Sequence, residues 1–177
     1  VSPEVDQLRD QHAADVVVMI VEHTEPHPTG EVCGRAQRPA TISVYNQDTY
    51  YVAVVKRACL NVDRVSAHEL GHIIGAEHEV GQGPDQDTNP SSPVAYNHPF
   101  VDADRDVATL MASNPAVCAP GNCGMQNFFS NPGRSYGSPP IFLGNTSANN
   151  TAFIDGAFAV VAAYRPLPGP PPPAAPT

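Results

Sequence analysis

Three histidines and one glutamate lie within the segment HELGHIIGAEH, residues 68–78. An α-helix has about 3.6 residues per turn, so His68 and His72 lie one turn apart on the same face and can bind one ion. Gly75 can adopt the positive φ that ends a helix, and the turn would bring His78 to the same ion. Three neutral nitrogen ligands, with a fourth position left to water, are typical of a catalytic zinc site.

Glu69 follows the first of these histidines and faces the same cleft. Its carboxylate is placed to hold a water molecule at the metal rather than to coordinate the metal, so we assign it the role of general base. The expected chemistry is zinc-assisted hydrolysis. Chance occurrence is the alternative, and it is disfavoured because the glycine and the third histidine extend the shorter pattern HExxH.

The pattern HExxHxxGxxH is the signature of the metzincin zinc metalloproteases, and this chain resembles them. The segments DVVVMIVE, AVVKRACLN and FFSNPG and the pair Cys33–Gly34 are similar to bacterial peptidyl-Asp metalloendopeptidases and neighbouring reprolysin-like enzymes. The resemblance covers most of residues 5–165. It implies an endopeptidase that acts on proteins or peptides with one catalytic zinc ion.

The resemblance also implies a methionine in a tight turn beneath the zinc. Met111 in TLMASNPA has the sequence context of that turn, and Met125 in a glycine-rich loop is the alternative. Cleavage before aspartate would require a basic group in the specificity pocket, for which Arg134 is the candidate, although a solvated arginine is the simpler reading. Tyr96 or His98 could polarise a substrate carbonyl, unless they are ordinary polar residues.

The implied fold class is α+β, with an α/β-type upper lobe that contains a mixed twisted sheet and the active-site helix. A loop-rich lower lobe would follow and end in a C-terminal helix. We expect a catalytic domain over residues 1–165, divided near residue 75, and a proline-rich linker or tail over 166–177. Metzincin upper lobes usually begin with a strand, and no room for one precedes Val5, so the chain is truncated or the sheet has one strand fewer.

Local patterns predict the elements that must position the site. Pro3 and the apolar spacing after it predict a helix over 3–13 with Leu8 on its buried face. The apolar run at 15–22 predicts a buried central strand, and the segments 40–46 and 50–56 predict paired strands. Loops are expected over 23–34 and 81–99, and Asn61 is expected to cap a zinc helix over 62–74. A final helix over 149–164 should pack beneath the site through one apolar face, formed by Phe153, Ala157, Val160, Val161 and Tyr164.

Composition excludes several classes of protein. Nine basic residues stand against eighteen acidic ones, and the net charge is −9 with no basic cluster, so nucleic acid is not an expected partner. No apolar stretch is long enough to span a membrane, and we expect a monomer. The chain begins VSPEV and reads as a processed or excised segment.

The four cysteines lie at positions 33, 59, 118 and 123 without the spacing of a metal knuckle. A local bridge between Cys118 and Cys123 would leave Cys33 to pair with Cys59, two other connectivities remain open, and four reduced thiols are the alternative. Disulfides would indicate an oxidising compartment, so we expect a secreted, extracellular or periplasmic protein.

Calcium is a further candidate ligand. Asp85 and Asp87, or Asp102, Asp104 and Asp106, could supply oxygen ligands, although neither group follows an EF-hand pattern and both could be turns or a helix start.

Two other functions remain open: a catalytically silent zinc-containing binding module, and a zinc hydrolase of a non-protein amide or ester. Glu69 argues against the silent module, because a structural site has no need of a carboxylate beside an open ligand position.

Overall fold

The structure, a computed structural model, describes residues 2–24, 26–27, 30–36, 51–60, 64–79, 96–113 and 123–165. It combines helices with small mixed sheets, in agreement with the α+β class. The elements are α1 (Pro3–His12), β1 (Val17–Val21), β2 (Pro26–His27), β3 (Gly30–Glu31), β4 (Gly34–Ala36), β5 (Val52–Lys56), a short 3₁₀ helix (Arg57–Cys59), α2 (Val65–Ile73), β6 (Val101–Asp102), β7 (Val107–Ala108), β8 (Gly124–Met125), β9 (Asn131–Tyr136), β10 (Ile141–Leu143) and α3 (Asn150–Val161). The strand expected at 40–46, the residue Asn61, most of the loop at 81–99 and the tail at 166–177 lie outside the described residues.

The sheet behind the site has the order β1–β5–β4. β5 runs parallel to β1 and antiparallel to β4, with Val17 opposite Val52 and Gly34 opposite Val55. The expectation of a fully buried strand at 15–22 is wrong for β1, whose side chains are partly buried and whose Ile20 is 51% exposed. A continuous apolar run does not report how far the cover extends along a strand: Val18 packs against the cluster of Val55, Cys59 and Val65, whereas Ile20, two residues further along the same face, is exposed.

The loop expected over 23–34 contains a small antiparallel pair. β2 pairs with β3, Pro26 lying opposite Glu31, and β4 then begins at Gly34. Three of the residues that predicted irregular structure here, Pro26, Gly30 and Gly34, are instead the first residues of strands of two or three residues.

Helix α1 lies close to its expected range, but its inward residue is Arg9 rather than Leu8. Leu8 is 55% exposed and Arg9 is 2% exposed. The Arg9 guanidinium stacks on the ring of Tyr51 and donates to the carbonyl oxygens of Ala14 and Asp15 at 2.9 and 2.8 Å. Burial of this cation is tolerated because aromatic and carbonyl groups replace its hydration, which apolar spacing alone does not foresee.

Helix α2 begins at Val65, later than the predicted residue 62. Arg64 precedes it in the left-handed region at φ 57°, and its carbonyl oxygen accepts from the amides of Ala67 and His68 at 3.0 and 3.1 Å. Arg64, not Asn61, is therefore the residue before the helix. At the other end Gly75 has φ 93°, as the sequence led us to expect, and turns the chain after the helix.

The second half of the chain forms the sheet β6–β7–β8, the hairpin β9–β10 and helix α3. Asn149 caps α3 by accepting from the amide of Ala152 at 3.2 Å. The buried stripe of α3 packs against Ile74, directly after α2, so this helix lies beneath the active-site helix. Val160 is 39% exposed, contrary to expectation: it lies at the edge of the stripe that Phe153, Ala157 and Val161 form, about 100° around the helix from Val161.

Among the described residues no helix is both long and apolar enough to cross a membrane.

Candidate metal centre and active site

The three histidines of the motif converge on one point. The Nε2 atom of His78 lies 2.9 Å from the Nε2 atoms of both His68 and His72. Zinc held tetrahedrally at about 2.0–2.1 Å from each nitrogen places its ligand atoms about 3.3 Å apart. The two distances to His78 are shorter than this and all three ligand atoms lie within 4.8 Å of one another, so the donor set fits zinc after small movements of the rings.

The outer ring nitrogens of the two helical histidines are held by backbone carbonyls. His68 Nδ1 donates to the Leu110 oxygen, and His72 Nδ1 donates to the Ala76 oxygen, each at 2.8 Å. A carbonyl oxygen only accepts, so the proton stands on Nδ1 and the Nε2 lone pair faces the metal position. Burial lowers the pKa of His68, which favours the neutral form that binds metal.

Met111 lies beneath the histidines. Its side chain is fully buried, and its Sδ atom lies 2.6 Å from the position that a Cβ atom on Gly71 would occupy. Gly71 stands between the two helical ligands, so the thioether packs directly on the backbone of α2. The amide of Ala112 donates to Thr109 at 2.9 Å and closes a tight turn around Met111. Met125, the alternative, lies in β8 instead.

The segment that follows His78 is tied to the same turn. The carboxylate of Glu79 accepts from the amide and the hydroxyl of Ser113 at 2.9 and 3.2 Å. Sequence reasoning assigned Glu79 no role, and its geometry shows it holding the residue after the methionine turn.

Glu69 follows the first metal-ligand candidate in α2 and is buried. Its Oε1 atom lies 2.5 Å from where a Cβ atom on Gly34 would stand, so only glycine leaves room for the carboxylate at the start of β4. Burial raises the pKa of Glu69 to about 8 in the metal-free protein. A cation held by the neighbouring histidines would favour the ionised carboxylate.

A disulfide joins Cys33 to Cys59, in agreement with the expected pairing. The Cys33 carbonyl also accepts from the amide of Lys56 at 2.8 Å. Both contacts fix the chain immediately before Gly34, and with it the wall against which Glu69 lies. Cys123 is disulfide-bonded, and Cys118 lies outside the described residues.

The candidate substrate-binding residues occupy different places. His98 Nδ1 donates to the His78 carbonyl at 2.7 Å, whereas Tyr96 is 37% exposed. Arg134 stands on the exposed strand β9, stacked over the ring of Phe128 at 4.1 Å from its centroid. The Phe128 carbonyl in turn accepts from the Leu110 amide at 2.9 Å.

The charge around Arg134 is unbalanced. Residues 107–154 contain no acidic residue and no other basic one, although the whole chain carries −9.

The aspartates proposed for calcium are only partly described. Asp102 accepts from the Arg105 amide at 3.1 Å and pairs with its guanidinium at 2.8 Å, while Asp104 and Asp106 are exposed. Asp85 and Asp87 lie outside the described residues, and calcium binding stays a prediction.

Known proteins resemble this chain. It is 29% identical over 160 residues to a peptidyl-Asp metalloendopeptidase of Stenotrophomonas maltophilia strain R551-3, an alignment that covers 89% of the chain and 33% of the relative. It is 28% identical over 158 residues to the enzyme of that name from Xanthomonas campestris pv. campestris, covering 89% and 32%. The chain spans about a third of the length of these curated relatives. No family model and no solved structure matches it. The resemblance to peptidyl-Asp metalloendopeptidases that the sequence indicated is confirmed.

Proposed function

We propose that this chain, a distant relative of peptidyl-Asp metalloendopeptidases, is a zinc-dependent endopeptidase with a metzincin-like catalytic domain. One observation carries the proposal: the Nε2 atoms of three histidines converge, and the residue next to the first of them in α2 is a buried glutamate. His68, His72 and His78 would hold the metal. Met111 would provide the non-ligating floor beneath them.

The chemistry divides between metal and protein. Zinc supplies a positive charge that polarises the scissile carbonyl and lowers the pKa of the attacking water. Glu69 accepts the proton of that water and delivers it to the leaving amine. The carbonyls of Leu110 and Ala76 keep the helical histidines in the tautomer that binds metal.

The start of β4 offers a place for the substrate backbone. Among the described residues β4 pairs with β5 alone, and it begins at Gly34, against which the Glu69 carboxylate lies. A peptide that pairs with the other edge of β4 would pass the general base with its main chain extended. We propose this mode of binding because its main-chain hydrogen bonds do not depend on which side chains the substrate carries.

Peptide cleavage tests the proposed function. We would digest a diverse peptide library with the zinc-loaded wild type and with Glu69→Ala and identify the products by mass spectrometry. Cleavage should occur with the wild type and disappear in the variant. A folded wild type that binds zinc but cuts no peptide would instead support a binding module or a hydrolase of non-protein amides.

The name of the relatives suggests cleavage beside aspartate, and we propose Arg134 as the carboxylate-binding group. Its stacking on Phe128, whose carbonyl is tied to the residue before Met111, and the lack of acidic residues over 107–154 support this role. Arg134→Ala should lose the preference for aspartate and retain zinc. Arg105→Ala, which removes an exposed arginine paired with Asp102, is the control and should retain the preference. If Arg134→Ala prefers aspartate as strongly as Arg105→Ala does, the proposal for Arg134 is contradicted.

The setting of the enzyme is also a proposal. The Cys33–Cys59 disulfide favours an oxidising compartment, such as the periplasm or the extracellular medium. We assign catalysis to residues 1–165 and expect a monomer.

A further inference from the structure

A buried polar cluster lies beside the third histidine of the site. Asn97, Ser130 and Asn150 are each at most 2% exposed. Asn97 Nδ2 donates to the Gly75 oxygen at 2.6 Å, and Asn150 Nδ2 donates to Asn97 Oδ1 at 3.1 Å. The amide of Asn150 donates to Ser130 Oγ at 2.7 Å. Two side-chain amides thus connect the first residue of α3 to the turn that ends α2.

Residues 76–79 have no regular secondary structure, so other contacts must hold them. Asn97 and His98 provide these contacts: the Asn97 carbonyl accepts from the Glu77 amide at 3.3 Å, and His98 Nδ1 donates to the His78 oxygen at 2.7 Å. Residues 97–98 therefore hold the chain on the Gly75 side of His78 and at His78 itself, while the Glu79–Ser113 contact holds the residue that follows.

Residues 96–98 are in turn held by the start of α3 and the strand before it. The Asn149 amide donates to the Tyr96 oxygen at 2.7 Å, and Ser130 Oγ donates to the His98 oxygen at 2.6 Å. Together with the hydrogen bond from Asn150 Nδ2 to Asn97 Oδ1, three contacts join residues 96–98 to Ser130 and the start of α3. The docking of α3 and the placement of His78 are thereby coupled.

We propose that Asn150, acting through Asn97, is a positioning residue of the metal site, which sets His78 relative to the two helical histidines. His68 and His72 are spaced by α2 itself, whereas His78 reaches the metal position only if the Gly75 turn is fixed. The inference rests on the proposed function in that zinc is the metal, but it concerns affinity rather than turnover.

Loss of one amide donor should weaken zinc binding. In Asn150→Asp the side chain keeps its size but presents an oxygen to Asn97 Oδ1. If the Asn97 amide rotates to donate to that oxygen, its own oxygen then faces the Gly75 carbonyl. In either orientation one buried contact becomes repulsive and the Gly75 turn loses its support. Removal of outer partners of metal ligands typically weakens metal binding about 10–100-fold.

The experiment compares zinc affinities measured by competition with a chromophoric chelator. Asn150→Asp and Asn97→Asp are examined in parallel. The first removes the Asn150 Nδ2 donor and the second removes the Asn97 Nδ2 donor, so if one variant fails to fold, the other still tests the inference. Asn149→Ala is the matched control: it removes the side-chain cap of the same helix and leaves the Asn97 contact in place. The visible spectrum of the cobalt-loaded protein reports the number of ligands independently of affinity.

We expect both aspartate variants to bind zinc at least about 10-fold more weakly than Asn149→Ala. Their cobalt spectra should lose the intensity of a four-coordinate site, while the control retains it. Zinc affinity and cobalt spectra equal to those of the control would overturn the inference and leave the proposed function standing. A wild type that binds no zinc would overturn both.

Discussion

The carboxyl group of Glu69 is the most strongly perturbed acid in the site. It is 6% exposed, and burial raises its pKa to about 8 while the metal is absent. In the unfolded chain the same group titrates near 4.5. At a pH between these two pKa values the unfolded state has released the proton and the folded state still holds it. The stabilisation that Glu69 contributes is therefore full below pH 4.5 and is lost as the pH rises to 8.

This linkage gives a testable pH dependence. We expect the free energy of unfolding of the metal-free wild type to fall, relative to that of Glu69→Gln, as the pH is raised from about 4.5 to 8. The variant cannot ionise at this position, so the difference isolates Glu69 from the opposing effect of the buried His68. Urea unfolding at several pH values measures it. A constant difference across this range would contradict the assigned cause.

Gly34 leaves room for the same carboxylate, so Gly34→Ala should displace it. The new Cβ atom would lie 2.5 Å from Glu69 Oε1 and 2.6 Å from a methyl group of Val65. Because a general base contributes about 10²–10⁴-fold, we expect kcat to fall at least about 10-fold with zinc affinity retained. Steady-state kinetics and chelator competition measure the two effects.

Gly156→Ala is the matched control for this change. Gly156 lies in α3 with nothing within 4 Å of an added Cβ atom, so alanine should raise stability by about 0.5–1 kcal/mol and leave kcat unchanged. Equal activities in the two glycine variants would show that space at Gly34 does not position Glu69.

At the scale of elements, the Cys33–Cys59 disulfide fixes β4 against α2. It joins the residue before Gly34 to the 3₁₀ helix after β5, across a sequence separation of 26. The double variant Cys33→Ser/Cys59→Ser should lose roughly 3–4 kcal/mol of stability by loop-closure entropy. Its kcat should also fall by a larger factor than its zinc affinity, because β4 contacts Glu69 rather than the histidines. Unchanged kcat in the folded double variant would contradict this link.

The elements that sequence reasoning placed best are those with local causes. The four-residue spacing of His68 and His72, the positive φ of Gly75 and the apolar stripe of α3 all act within a few residues, and the structure contains each of them. Local patterns also explain the error at Leu8, because the contacts that bury Arg9 come from the Tyr51 ring and from carbonyls beyond the helix.

The rest of the site depends on contacts that sequence spacing does not report. Leu110 and His68 are 42 residues apart, Ser113 and Glu79 are 34 apart, and Asn150 and Asn97 are 53 apart. Polar side chains of these types are common in loops, so nothing local distinguishes the ones that support a metal ligand. Their pairing becomes visible only when tertiary structure brings them together.

At the scale of the whole molecule, the metal position is where the two halves of the chain meet. α2 supplies His68 and His72, the turn after it supplies His78, and the second half supplies the Leu110 carbonyl, Met111 and the contacts of Asn150. Zinc should therefore stabilise the fold as a unit, by about 2.7 kcal/mol when its free concentration is 100 times Kd. Thermal unfolding with and without zinc measures this gain, and an unchanged Tm would place the site outside the cooperative fold.

The most direct test of the central claim is a zinc titration of the metal-free protein in which bound zinc and peptide cleavage are measured at each point. We expect cleavage to rise in proportion to bound zinc and to stop rising at one ion per chain, because the part of the chain that the structure describes holds one such group of three histidines. Glu69→Ala should give the same binding curve without cleavage. Cleavage by the metal-free protein, or cleavage by Glu69→Ala at the wild-type rate, would contradict a zinc peptidase with Glu69 as its general base.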